Sequence, residues 1–96
     1  MPRISELQLH ILVWLARERR AGDNHQALVC ALPYHKGNIS HSLRTLERHG
    51  YLRLTRSSGG QVRRVELVGA GRRLGRLYAQ TNWWGWGRGT IHPPEL

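Results

Sequence analysis

The sequence predicts an α+β domain: three helices, a two-stranded hairpin and a short C-terminal helix. Apolar residues recur with a helical period as far as Gly50, and from Tyr51 the period changes to two on either side of a glycine-bearing loop. Length sets the scale, because 96 residues supply one modest core and exclude a cleft between two domains.

The first helix is expected from about Glu6 to Arg20. Its apolar middle could be read as a strand, but Ser5 followed by Gln8 has the spacing of a capping box. Leu7, Ile11, Trp14 and Leu15 then share one face, widened by Leu9, Leu12 and Val13, so this helix should be largely buried. Gly22 stops it, and Asp23 or Asn24 caps a second helix of one to two turns in "QALVCAL". Pro33 ends that helix, since proline cannot continue it. "PYHKGN" is a turn, with Asn38 or a neighbour capping a third helix over 36–49. There Ile39, Leu43 and Leu46 fall at i, i+4 and i+7, and Gly50 is the natural residue just past the end.

Tyr51 to Arg56 and Val62 to Leu67 alternate as strands around the loop "SSGGQ". Leu74, Leu77 and Tyr78 mark one more short helix, weakened by Gly75. The domain is therefore expected to span 1–81 and a Trp/Gly-rich tail 82–96. Trp83, Trp84 and Trp86 of the tail, with Leu9, Trp14, Leu77 and Tyr78, are the apolar material for tail packing or for a homodimer interface.

Charge narrows the partner. Fifteen Lys+Arg against six Asp+Glu give +9, and with a pI of about 11.5 the chain is drawn to polyanions, nucleic acid first. Cys30 is alone, so there is no disulfide framework, and its apolar neighbours predict a buried thiol. The lone cysteine fits a reducing compartment, and the expected location is cytoplasmic and nucleoid-associated; the longest apolar run, Ile11 to Ala16, is far too short to span a bilayer, so no membrane partner is expected. The six histidines lack the close helical spacing of a chelating motif, so no metal site and no cofactor is expected. No acidic pair, based nucleophile or phosphate loop is present, so the chain is not expected to be an enzyme.

The order helix, short helix, turn, helix, hairpin, helix matches a winged helix-turn-helix. Its carrier is the stretch "NISHSLRTLERHGYLRLTRSSGGQVRRVELVGAGRRL", which resembles the recognition helix, wing and following helix start of MarR-type transcriptional regulators. In that family a serine-rich helix ending "LxxLExxG" precedes a basic strand, a glycine-bearing wing and an "LTxxG" turn. The likeness covers about Asp23 to Leu74 and rests chiefly on Leu43, Leu46, Glu47 and Gly50. Val68 stands where threonine is usual, so the last helix lacks the family's hydroxyl cap, and the long dimerising helices are absent or much reduced. The resemblance implies a sequence-specific regulator of double-stranded DNA, a repressor in the first instance, acting as a homodimer with an effector that the sequence does not identify.

The residues support the same reading independently. With Ile39, Leu43 and Leu46 inward, Asn38, His41, Ser42 and Thr45 are expected to face outward, with Ser40 and Arg44 on the flanks and His35 and Lys36 at the start. An α-helix fits the major groove, where such side chains meet base edges and phosphates. In the wing, Arg53, Arg56, Ser57, Ser58, Gly59, Gly60, Gln61, Arg63 and Arg64 are the candidates for the backbone or the minor groove. Two other classes remain open: a winged-helix protein interaction module, and a non-specific architectural binder of nucleic acid.

Overall fold

A reciprocal cap starts the first helix, α1 (Glu6–Arg17): Gln8 N–H donates to Ser5 Oγ, and Ser5 N–H to Gln8 Oε1, both at 3.1 Å. The computed structural model describes residues 4–18 and 22–80. The boundary expected near residue 81 and the tail, with Trp83, Trp84 and Trp86, lie outside the described residues. α1 stops short of Arg20, because Glu18 already has extended backbone, with ψ 129°.

The remaining elements are α2 (His25–Ala31), α3 (Lys36–Arg48), strands β1 (Leu52–Arg56) and β2 (Val62–Leu67), and α4 (Gly69–Ala79). α2 ends at Ala31, with Leu32 already extended as its C-cap immediately before Pro33. The cap of α3 is His35 rather than Asn38, since its Nδ1 accepts the Gly37 N–H at 3.0 Å and the helix begins a turn earlier than a cap at Asn38 would allow. α3 closes with Gly50 in the left-handed region at φ 80°, Gly50 N–H on Glu47 O at 3.0 Å and Tyr51 N–H on Leu46 O at 2.9 Å. That is the Schellman arrangement, and it turns the chain directly into β1.

β1 and β2 form an antiparallel pair with Leu52 opposite Leu67 and Leu54 opposite Val65, and a bulge at Thr55/Arg56. α4 starts at Val68 without a side-chain cap, as the missing hydroxyl there implies. α1 is the spine: Leu9, Ile11, Leu12, Val13 and Leu15 are buried against Leu28, Leu32, Ile39, Leu43, Leu46, Tyr51, Leu52, Leu54 and Val65.

Several expectations are corrected by the packing. Leu9 is 6% exposed and belongs to this core, so it offers no surface to a partner. Trp14 and Tyr78 pack half-buried against the same core, while Leu77 is 43% exposed. Cys30 is exposed rather than buried, because α2 is covered through Leu28 and turns Cys30 outward beside Gln26. Gly75, expected only to weaken α4, has a packing role. A Cβ there would lie 2.7 Å from the Leu12 carbonyl oxygen, so its absence lets α4 press on α1. Gly71 is tighter still, since a Cβ would lie 1.9 Å from the Tyr51 carbonyl oxygen.

His10 sits fully buried on α1, with the Tyr34 hydroxyl hydrogen-bonded to its Nδ1 at 2.9 Å and the two rings tilted at 5.4 Å. Burial pushes its pKa down to about 4, because the charged imidazolium loses its hydration there.

Two outcomes follow from this packing. Gly71→Ala should cost at least about 1–3 kcal/mol in urea denaturation, as overpacked sites do, while Gly59→Ala at the open wing tip should be far milder. Because the folded pKa of His10 lies below its ordinary value of 6.5, the unfolded chain binds more protons between the two, and stability is lost as pH falls through that window. Unfolding free energy should drop by about 2 kcal/mol from pH 7 to pH 5, and His10→Gln should flatten the dependence.

Candidate nucleic-acid interface

Two side chains fix the hairpin relative to the helices. Asn24, 5% exposed, lies alongside β2: its Oδ1 accepts Val65 N–H at 2.7 Å, its Nδ2 donates to Val65 O at 2.9 Å, and its own N–H donates to Arg63 O at 3.1 Å. Since the amide is used on the strand, Asn24 stands at the N-cap of α2 without capping it through its side chain. On the other strand, Glu47 Oε2 accepts Leu54 N–H at 3.1 Å and Oε1 receives Arg56 at 3.4 Å. The carboxylate thus joins the last turn of α3 to β1.

The outward face of α3 differs from the expected one. Lys36, Gly37, Asn38, His41, Arg44 and Arg48 are exposed, and Ser40 and Thr45 are half-exposed. Ser42 is 6% exposed and lies on the core side. At about 100° per residue it stands only about 60° from Ile39 and 40° from Leu46, so the apolar stripe includes it. Arg44 correspondingly moves from the flank to the middle of the exposed face. Arg48 joins it, a residue the sequence reasoning missed although it lies four positions after Arg44 and seven after His41. Thr45 Oγ1 donates to the His41 carbonyl at 3.1 Å, so its proton is used within the helix. Lys36, Arg44 and Arg48 have no acidic partner among the described residues.

The wing loop closes through Gly60 N–H on Ser57 O at 2.9 Å and Ser57 N–H on Gln61 O at 2.7 Å, with Gly60 at φ 85°. Ser58, Gly59, Gly60 and Gln61 form its exposed tip, with Ser57 half-exposed below. Each wing arginine meets a carboxylate. Arg53 and Arg64 share Glu66 at 3.3 Å each, Arg56 meets Glu47, Arg63 meets Asp23 at 3.5 Å, and Arg64 also donates to the Gly22 carbonyl. The hydrogen bond from Arg53, with Arg64 beside it, holds the Glu66 carboxyl below its ordinary range. Asp23 and Glu47 come from other elements, so the periodicity of the hairpin could not reveal them. Exposed ion pairs of this kind contribute only about 0–1 kcal/mol, and a phosphate can replace the carboxylate with little loss.

Among the described residues no group of three or more His, Cys, Asp or Glu could hold a metal ion. No helix there is long and apolar enough to cross a membrane.

Three helices with the third lying beside a two-stranded hairpin, and a fourth packed on the first, define a winged helix-turn-helix fold. The structure is similar to the crystal structure of MepR, described as a transcription regulator of the Staphylococcus aureus multidrug efflux pump MepA. The TM-score is 0.63 at 23% identity, over 77% of this chain and 54% of that one, so this chain spans about half the length of its structural neighbour. At that identity the likeness is one of fold. No protein-family profile and no curated protein sequence matches the chain.

The Glu47 bridge is directly testable. Glu47→Ala should leave Leu54 N–H without its acceptor and cost about 1–3 kcal/mol. Amide exchange at Leu54 should accelerate well beyond that at Leu46, while Glu47→Gln, which keeps an acceptor, should restore most of the protection.

Proposed function

We propose that the chain binds double-stranded DNA as a transcription regulator, with α3 in the major groove and the wing on the adjoining backbone or minor groove. The observation that carries this reading is the exposed row of His41, Arg44 and Arg48. Arg44 and Arg48 make no ion pair among the described residues, and the row lies on a helix that Glu47 locks to the wing. A helix of this width fits the major groove, where a guanidinium can grip the O6 and N7 of guanine in two hydrogen bonds. The net charge of +9 supplies the non-specific attraction. The fold's neighbour is itself described as a transcription regulator, which favours a binding role over catalysis.

Lys36, Asn38 and Ser40 stand at the leading end of α3, where base edges and phosphates are both in reach. Ser57, Ser58, Gly59, Gly60 and Gln61 form the wing tip, and Arg53, Arg56, Arg63 and Arg64 form its charged flank. The most economical mode of action is repression by occupancy of an operator, from the cytoplasm and on the nucleoid. A single domain of this size covers little DNA, so the reading includes a homodimer on inverted half-sites about one helical turn apart. Leu77 on α4 and the tryptophans of the tail are its apolar material.

Selection of bound sequences from a random duplex library tests the reading. On the selected site Arg44→Ala and Arg48→Ala should each cost about 1–3 kcal/mol if they pair with guanine, and should relax preference at one position. Lys36→Ala should instead weaken all duplexes alike and lower the salt slope by about 0.9. Recovery of no preferred sequence, together with slopes unchanged by Lys36→Ala, Arg44→Ala and Arg48→Ala, would refute sequence-specific binding.

A further inference from the structure

A recess of about 540 Å³ opens between α2, the start of α3 and the wing. Asp23, His25 and Gln26 line it from the α2 side, Lys36 from α3, and Gln61 and Arg63 from the wing. Its place matters more than its size. When a helix occupies the major groove and a wing reaches the neighbouring minor groove, the phosphodiester strand dividing the two grooves runs between helix and wing. A strand so placed would pass the recess, which collects two cations, Lys36 and Arg63.

The charged and titratable groups facing it are Asp23 from the segment before α2, His25 at the first position of α2, Lys36 from α3 and Arg63 from β2. Asp23 is held by Arg63 at 3.5 Å in a pair exposed on both sides, so an entering anion can take over Arg63. His25 is half-buried among these groups and outside the hydrophobic core.

We infer that this recess seats one phosphate of the DNA backbone, and that His25 takes up a proton from solvent as the phosphate enters. In the free protein burial, and then the charge of Lys36, hold the His25 pKa below its ordinary value of 6.5, so the ring is neutral at neutral pH. A phosphate beside the ring reverses the local potential and favours the imidazolium. Binding and protonation are then linked, and DNA affinity rises as pH falls. The inference rests on the DNA-binding reading and deepens it, because His25 belongs neither to the outward face of α3 nor to the wing.

The experiment measures binding to a labelled random duplex at fixed ionic strength from about pH 8 to pH 6, with wild type, His25→Gln and His49→Gln, the last at the far end of α3. Wild type and His49→Gln should tighten as pH falls, by at most about tenfold per pH unit for one linked proton. His25→Gln should still bind and lose most of that dependence. Dependence equal in His25→Gln and wild type overturns the proposal while leaving DNA binding intact. Failure of the wild-type chain to bind any duplex would sink the DNA reading and the recess together. In a parallel titration followed by the ring proton resonances, the duplex should raise the His25 pKa. If inorganic phosphate alone raises it as far, the recess is a site for free anions and the assignment to the DNA backbone is wrong.

Discussion

Three elements meet at the backbone of Tyr51. Its N–H closes the end of α3 on Leu46 O at 2.9 Å, its carbonyl accepts Val68 N–H at 3.1 Å, and the same carbonyl oxygen lies where a Cβ on residue 71 would have to go. The angle between α3 and the hairpin, and the seat of α4 on α1, therefore depend on one peptide corner with no slack. Gly50 supplies the left-handed turn into that corner, and Gly71 the space beside it. The Tyr51 side chain is buried with Leu46 and Leu52, so the core pulls on the junction from within.

On this frame the cations divide into two kinds. Those of α3, Lys36, Arg44 and Arg48, are held out without an ion pair among the described residues, whereas those of the hairpin each lean on Asp23, Glu47 or Glu66. The first kind presents charge continuously. The second is held in position by weak partners that a phosphate can displace, so the hairpin arginines are arranged before any polyanion arrives. Arg56 is a special case, because its partner Glu47 also holds the Leu54 amide and stays with the fold whatever happens to the arginine.

Most of the element order was legible in the sequence, since caps, glycine stops and the change of period act locally. Ser5 with Gln8, Pro33, and Gly50 followed by alternating residues are signals read within a few positions of the structure they cause. What was not legible depended on distance or on fine angle. The polar side chain of Ser42 points to an outward position, although its angle on the helix puts it with Ile39 and Leu46. Arg48 shows the converse, since it lies beyond the serine-rich stretch and only its angle on the helix places it with His41 and Arg44. The apolar neighbours of Cys30 point to burial, while its exposure is decided by which face of α2 meets the core. In the sequence Asn24 is one of two possible helix caps. Its bonding to Val65, 41 residues away, follows only once β2 passes beside it. Gly75 looked like a defect of α4 until Leu12 of α1 was placed against it.

The Asn24 and Glu47 contacts have a consequence for the chain's behaviour among its own copies. A two-stranded sheet has two open edges, and an open edge invites another strand to add to it. Leu54 and Val65 face each other with backbone groups pointing away from the partner strand, so these are the groups an intruding strand would use first. Asn24 takes both groups of Val65, and the Glu47 carboxylate takes the Leu54 amide. An amide side chain imitates a strand on one side and a carboxylate blocks a donor on the other. Two polar residues thus occupy outward-facing backbone groups at the middle of each edge, which hinders edge-to-edge association there without extra strands.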